Sequence, residues 1–507
     1  MTPNIAGRTG PLYLPLFIML ILIFSAGPAF SAEFEISDEN VRKAVEDEIH
    51  YDRLVSLNDV DVDVTSGIAV LSGQTSNLLA KRRAARVART VKGVLGVDNR
   101  IEVSPPVEIS DTTLRDRIKN ALLADPASEA YEVSVAVRDN KAILGGTVAS
   151  WQEKILAEKV TAAVRGVARV ENNITVEYLP ERPEKQILAD VRQTLAYDVL
   201  VEHGLIKVRV DGSKVTLSGS VGSAAERSEA VADAWVAGVS EVDASNLEVD
   251  PGAGDPKLRM AKHEQKEDEA IAGAIRRAIT LNPRVREFDV AVEVNNGKAR
   301  LYGVVDNARA KRVAGRLARR TVGVSSVKNR VRVRPDGGEI DTEIQSRVLA
   351  ALKNDPYLEG YEVDAAVMSN VAYLYGVVDS YFEKARAEEA AATVRGVKAV
   401  KNNTAVRDVT LSYDPYVDGD YVYDVGPFGP TDLEAKFLSD AEIQERIEEE
   451  IWWSPHVDSD DVQVAVDAGV ASLTGAVDSW KERVLARQEA YEGGAADVID
   501  RMKNPDE

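Results

Sequence analysis

The sequence predicts an α+β protein: a tandem array of six small units, each ordered helix, strand, strand, helix, strand. Three observations carry this. A Leu-x-Gly phrase recurs six times, centred on Gly73, Gly146, Gly219, Gly303, Gly376 and Gly475, at intervals of 73, 73, 84, 73 and 99 residues. A fixed period is the signature of a repeat architecture. An acidic residue stands 35 positions before each glycine (Asp38, Asp111, Glu184, Asp268, Asp341, Asp440), with an aliphatic three residues after it. Within each unit the hydrophobic spacing alternates between helical and strand periods.

Unit five shows the elements in order. Its acid is expected to N-cap the first helix by accepting orphan amide protons. Ile344, Val348, Ala351 and Leu352 then share one helical face, and Asp355-Pro356 stops the helix because a residue before proline avoids that conformation. Val363, Ala365 and Val367 alternate as a half-buried strand. Ser369-Asn370 turns the chain, as Ser66-Gly67, Asp211-Gly212, Asn296-Gly297 and Ala468-Gly469 do elsewhere, and Val371–Val378 returns. Gly376 implies a close backbone approach or a bulge. Ser380 opens the second helix, Gly396 ends it in a left-handed cap, and Val400 to Val406 alternate as the closing strand.

The closing phrase Gly-Val-x-x-Val-x-Asn stands at 166–172, 323–329 and 396–402, with a near copy at 93–99. Unit three departs from it at Ala244. Unit six departs further, so its last strand is expected to be truncated. Leu-x-Gly, a gap of about 20 residues, then this phrase resembles the BON domain, and the resemblance covers nearly the whole chain beyond its N-terminus. It implies two helices on one side of a three-stranded mixed sheet. It also implies an envelope protein that binds phospholipid surfaces or other envelope components, without catalytic residues.

The units are bounded at 36–104, 109–178, 182–250, 268–335, 340–408 and 439–507. They fall into two triads: Lys81-Arg82 recurs 230 residues on as Lys311-Arg312, Asp125-Pro126 as Asp355-Pro356, and units three and six share Glu226-Arg227 and Glu482-Arg483. Linkers occupy 251–267 and 409–438. Asp414, Asp418, Asp420 and Asp424 in the second lack the spacing of a calcium loop, so no metal or cofactor is expected. Residues 1–31 read as a signal peptide: Arg8, an apolar run from Leu12 to Phe24, and Ala29-Phe30-Ser31 for cleavage. The rival, an uncleaved anchor, needs a run of about 18–20 residues. The chain has no cysteine and a net charge of -21, which removes disulfides, lipidation at an N-terminal cysteine and any general drive toward nucleic acid.

Charge is segregated. Residues 268–335 hold 16 Lys/Arg against 6 Asp/Glu, whereas 409–507 hold 7 against 24. In unit four Arg309, Arg312, Arg316, Arg319 and Arg320 share one helical face, and Arg330, Arg332 and Arg334 alternate on the last strand. These eight residues are the candidate site for an anionic phospholipid surface; the alternative is neutralisation against acidic unit six. Trp151, Tyr381, Trp480 and the Trp452-Trp453 pair fit either a bilayer boundary or packing between units. Scattered histidines, without a thiol or nucleophile motif, argue against an enzyme. The sequence thus points to an exported, periplasmic, non-enzymatic envelope protein that binds phospholipid surfaces in support of envelope integrity or stress tolerance. The alternative is a soluble periplasmic chaperone or scaffold for envelope proteins.

Overall fold

The computed structural model describes residues 35–503 apart from 53–54, 56–58, 129–130, 178–181, 254–261, 263–265, 335–339, 380, 408–437 and 496. The signal-peptide segment and the Asp414–Asp424 stretch therefore lie outside the described residues, as do the side chains of Tyr381 and Trp480.

Every domain has the predicted order. In domain two, helix Asp111–Ala124 precedes a hairpin of Glu132–Arg138 and Lys141–Val148, then helix Trp151–Ala162 and the closing segments Arg169–Asn172 and Thr175–Val176. The hairpin is antiparallel, with Arg138 opposite Lys141, and the closing segments pair parallel to its second strand. Each sheet is thus mixed, with the returning strand at its centre, and each domain has its own aliphatic core. Val45, Leu71 and Ala84 are fully buried in domain one, as are Val348, Leu374 and Ala387 in domain five.

The repeated acid has a different role from the expected cap. Ser37, Ser110 and Ser439 cap the first helices of domains one, two and six. The acid reaches across to the hairpin turn instead. Asp341 accepts from the backbone N–H groups of Ser369 and Asn370 at 2.8 and 3.0 Å, and Asp38, Asp111, Asp268 and Asp440 each hold two turn amides in the same way. Both turn residues have positive φ, 53° and 64° at Ser369 and Asn370, so their amides point together at one anion, as successive amides in such turns do. The constant spacing of 35 therefore ties the first helix to the hairpin.

The glycine reading holds. A Cβ on Gly376 would lie 2.4 Å from the carbonyl oxygen of Glu362, and φ there is +133°; the five counterparts meet the facing strand at 1.9–2.4 Å. The expectation for domain six does not hold. Its last strand, Asp497–Lys503, pairs without a break along Val470–Ala476. Elsewhere the asparagine pins the strand to the second helix, as Asn329 does by donating to the Lys311 carbonyl at 2.6 Å. In domains three and six an arginine on the helix takes over: Arg227 donates to the Ala244 carbonyl at 2.7 Å, and Arg483 pairs with Asp500 at 2.8 Å.

The six domains pack as one body. Domains one, two and three close a ring through one repeated position at the start of the second helix. Leu78 of domain one is buried in the core of domain two. Trp151 of domain two stacks on Trp235 of domain three at 5.1 Å, and Ala224 of domain three is buried in the core of domain one. Domains four and five repeat the geometry of one and two: Arg312–Glu388 and Arg82–Glu158 are equivalent ion pairs, 2.7 and 2.6 Å long. The two triads face each other through matched backbone bonds. Lys92 N–H donates to the Trp453 carbonyl, Arg165 to Asn354 and Val322 to Tyr197, at 2.9, 2.8 and 2.9 Å. These join one to six, two to five and four to three. Among the described residues no helix is long and apolar enough to cross a membrane.

Candidate functional site

The eight predicted arginines separate into two groups. Those on the second helix of domain four, Ala308–Arg319, and Arg320 at its C-terminal cap turn inward against other domains. Arg309 pairs with Glu389 and donates to Thr393 Oγ1 at 3.1 Å, and Arg312 pairs with Glu388, all in domain five. Arg320 meets Asp198 and Glu229 of domain three at 3.1 and 2.9 Å. Asp198 holds the Arg320 guanidinium charged well above its ordinary range, and burial drives the neighbouring Asp233 carboxyl well up. Arg316 and Arg319 face the central cavity. The expected neutralising partner was acidic unit six; the acids that meet this helix belong to domains five and three, because the second helices meet at the interior.

Arg330, Arg332 and Arg334 have the opposite fate. They are exposed, with Val331 and Val333 turned inward between them. Three further cations share their face. Lys298 and Arg300 lie on the adjacent strand and Lys328 opposite Arg300, all exposed. Among the described residues none of the six makes a side-chain ion pair. Exposed Val304 lies opposite Arg332, and exposed Glu293 lies opposite Arg300. Sequence reasoning overlooked Lys298, Arg300 and Lys328, although their alternation along two paired strands was a readable signal. The same outer face of domain five is apolar: Met368, Tyr375 and Val377 are 62%, 47% and 46% exposed, and Lys401 lies 5.2 Å from the Tyr373 ring centre.

Two arginines that the sequence did not single out join domain four to domain two. Arg284 grips Asp125 with two hydrogen bonds, 2.9 and 2.7 Å, and Arg286 pairs with Glu153. The tryptophans with described side chains pack between domains: Trp151 on Trp235, and Trp453 in the core of domain one with Trp452 beneath Lys92 at 4.4 Å. At that same interface the carboxylates of Glu48, Glu489 and Glu492 lie within 4.8 Å of one another. Burial, then Asp52, pushes Glu48 up to about 7; burial and mutual repulsion also raise Glu450, Glu489 and Glu492.

A BON-domain family profile matches residues 37–105, 110–178, 183–251, 267–335, 340–408 and 439–503. Osmotically-inducible protein Y of Escherichia coli is 29% identical over 143 residues, 27% of this chain and 71% of that protein. The outer membrane lipoprotein DolP of Haemophilus influenzae is 27% identical over 141 residues, 27% of this chain and 72% of its own. A solved structure of CdsD, a structural protein of the type III secretion system of Chlamydia trachomatis, covers 43% of this chain and 98% of its own at 14% identity, with a TM-score of 0.12.

Proposed function

Because the chain belongs to the BON-domain family, we propose that it is a non-enzymatic, exported envelope protein that binds phospholipid surfaces through the outer sheet face of domain four. The observation that carries this reading is the row of six exposed cations, Lys298, Arg300, Lys328, Arg330, Arg332 and Arg334, without side-chain ion pairs among the described residues, on a chain of net charge -21. A polyanion gains nothing from approaching an anionic membrane except through such a face. Each basic residue near the surface contributes about 1 kcal/mol. The names of two relatives support an envelope role: one is an outer membrane lipoprotein and the other an osmotically-inducible protein. Flotation of residues 32–507 with vesicles tests it. The chain floats with phosphatidylglycerol-containing vesicles at low salt, sinks with zwitterionic ones, and loses binding as salt screens the charge. Flotation of Arg330→Glu/Arg332→Glu/Arg334→Glu equal to that of the parent overturns this reading.

A second reading, a chaperone or scaffold for envelope proteins, is favoured by the apolar outer face of domain five. Suppression of client aggregation, lost on Tyr375→Lys/Val377→Lys, is its signature.

A further inference from the structure

The outer sheet faces of domains one and four occupy equivalent places in the two triads, and their charges are opposite. On domain one, Asp59, Asp61 and Asp63 alternate along the edge strand Asp59–Thr65; all are exposed, and their side chains make no hydrogen bond or ion pair among the described residues. Exposed Asp98 and Glu102 extend the acid onto the closing segments. Two cations stand near: Arg100 pairs with Asp98 at 2.7 Å, and Lys81 lies close to Glu102. On domain four the central and closing strands are basic instead. Lys328 and Arg332 stand 230 residues after Asp98 and Glu102, and Lys298 and Arg300 stand 230 after Ile68 and Val70. Glu293 on its edge strand and Asp289 just before that strand are exposed acids. Domains two and three do not sort their charge this way. On the same face Lys141 pairs with Glu171, and Lys214 with Glu241 at 2.7 Å.

Sorting one sign onto each of two domains repels like faces and attracts unlike ones, which is how charge selects a partner. The two faces do not meet within one chain, because both are exposed in the packed six-domain body. A second copy carries the missing counterpart. Spacing also agrees. Residues two apart on a strand lie about 6.6–6.8 Å apart, so Asp59, Asp61 and Asp63 present three carboxylates at the repeat of the Arg330, Arg332 and Arg334 guanidinium groups. Arginine–carboxylate pairs are the strong form of charge-assisted hydrogen bond. Two chains of net charge -21 repel at long range. At about 0.1 M salt that repulsion is damped beyond about 10 Å, whereas contacts between docked faces are shorter. We propose that this protein self-associates head to tail, the acidic outer face of domain one on one copy docking on the basic outer face of domain four on another. The proposal does not rest on the phospholipid reading, although a membrane and a second copy would compete for the same face.

Sedimentation velocity of residues 32–507 over rising concentration, at about 0.1 M salt, tests it. The expected result is reversible association that weakens at least tenfold by about 1 M salt. Asp59→Lys/Asp61→Lys/Asp63→Lys and Arg330→Glu/Arg332→Glu/Arg334→Glu each weaken self-association at least tenfold, with melting curves as the folding control; all six side chains are exposed, so neither set disturbs a core. An equimolar mixture of the two variants associates again, because each offers the sign that the other lacks. No association of the parent up to about 100 μM, association unchanged in either folded variant, or a mixture that stays monomeric overturns the proposal. Flotation is read separately. Self-association of a chain that ignores phosphatidylglycerol-containing vesicles overturns the phospholipid reading alone, and flotation of a chain that stays monomeric overturns this one alone.

Discussion

Domain four carries two sets of arginines that the sequence cannot tell apart by composition, and their environments are opposite. Arg284, Arg309, Arg312 and Arg320 turn toward neighbouring domains and meet carboxylates of domains two, five and three. Arg330, Arg332 and Arg334 turn outward and meet none among the described residues. The first set holds the body together; the second is available to something else. The sharpest way to break the comparison is Arg284→Ala. Arg284 and Asp125 are only 13% and 4% exposed, so the substitution leaves a buried carboxylate without its partner, at a cost of about 3–5 kcal/mol. Arg332→Ala, on the outward strand, should stay within about 0.5 kcal/mol. Urea unfolding of both measures the contrast, and equal midpoints would remove the distinction between the two sets.

The outward set is tested by its own loss. Glutamate at Arg330, Arg332 and Arg334 should cost about 3 kcal/mol of vesicle affinity, roughly 100-fold, at low salt, with the melting temperature unchanged. A smaller effect separates the sets from another direction. Domain five supplies Glu388 and Glu389 to Arg312 and Arg309. Gly376→Val forces a Cβ to within 2.4 Å of the Glu362 oxygen at a φ that valine does not adopt, a strain of about 1–3 kcal/mol. It should destabilise domain five and loosen the inward pairs while vesicle flotation persists. Parental stability in urea would show that the strand gives way more easily than the spacing implies.

The repeat, the order of elements, the hairpin turns and the glycine approach were legible because each is a local property written six times. The role of the acid was not. Asp341 precedes the amides it holds by 28 and 29 residues, so spacing alone reads as a cap. The closing strand of domain six was misjudged because a missing asparagine marks a lost bond only if nothing replaces it, and Arg483 does. The ion pairs between domains depend on how domains meet, which no single unit encodes. One trace was nevertheless present: Arg82 and Glu158 recur 230 residues on as Arg312 and Glu388. A charge pair conserved in phase between the two halves of one chain is a contact signal, and it marks which arginines face inward.

The interface of domains one and six inverts the pattern of domain four, since acid there meets acid. Glu48 faces Glu489 and Glu492, with Glu450, Asp47, Asp52 and Glu449 close by; Ser454 bonds to Glu489 and Gln488 to Glu492, and Arg446 acts on Asp47. Burial and repulsion raise Glu48, Glu450, Glu489 and Glu492, Glu48 to about 7. A carboxyl raised on folding binds more protons folded than unfolded. Its favourable contribution is therefore complete below the ordinary carboxylate value and disappears as pH climbs through the folded one. The interface should tighten toward pH 5 and loosen toward pH 8. Because the cluster is partly open to solvent, the expected change is about 1 kcal/mol, well below the full linkage value. Glu489→Gln removes one charge and should raise the melting temperature at pH 8, leave it nearly unchanged at pH 5, and flatten the slope between. Parallel slopes for parent and variant would mean that the carboxylates shed their repulsion into solvent, and that domains one and six are joined chiefly by the Trp453 packing and the Lys92 bond.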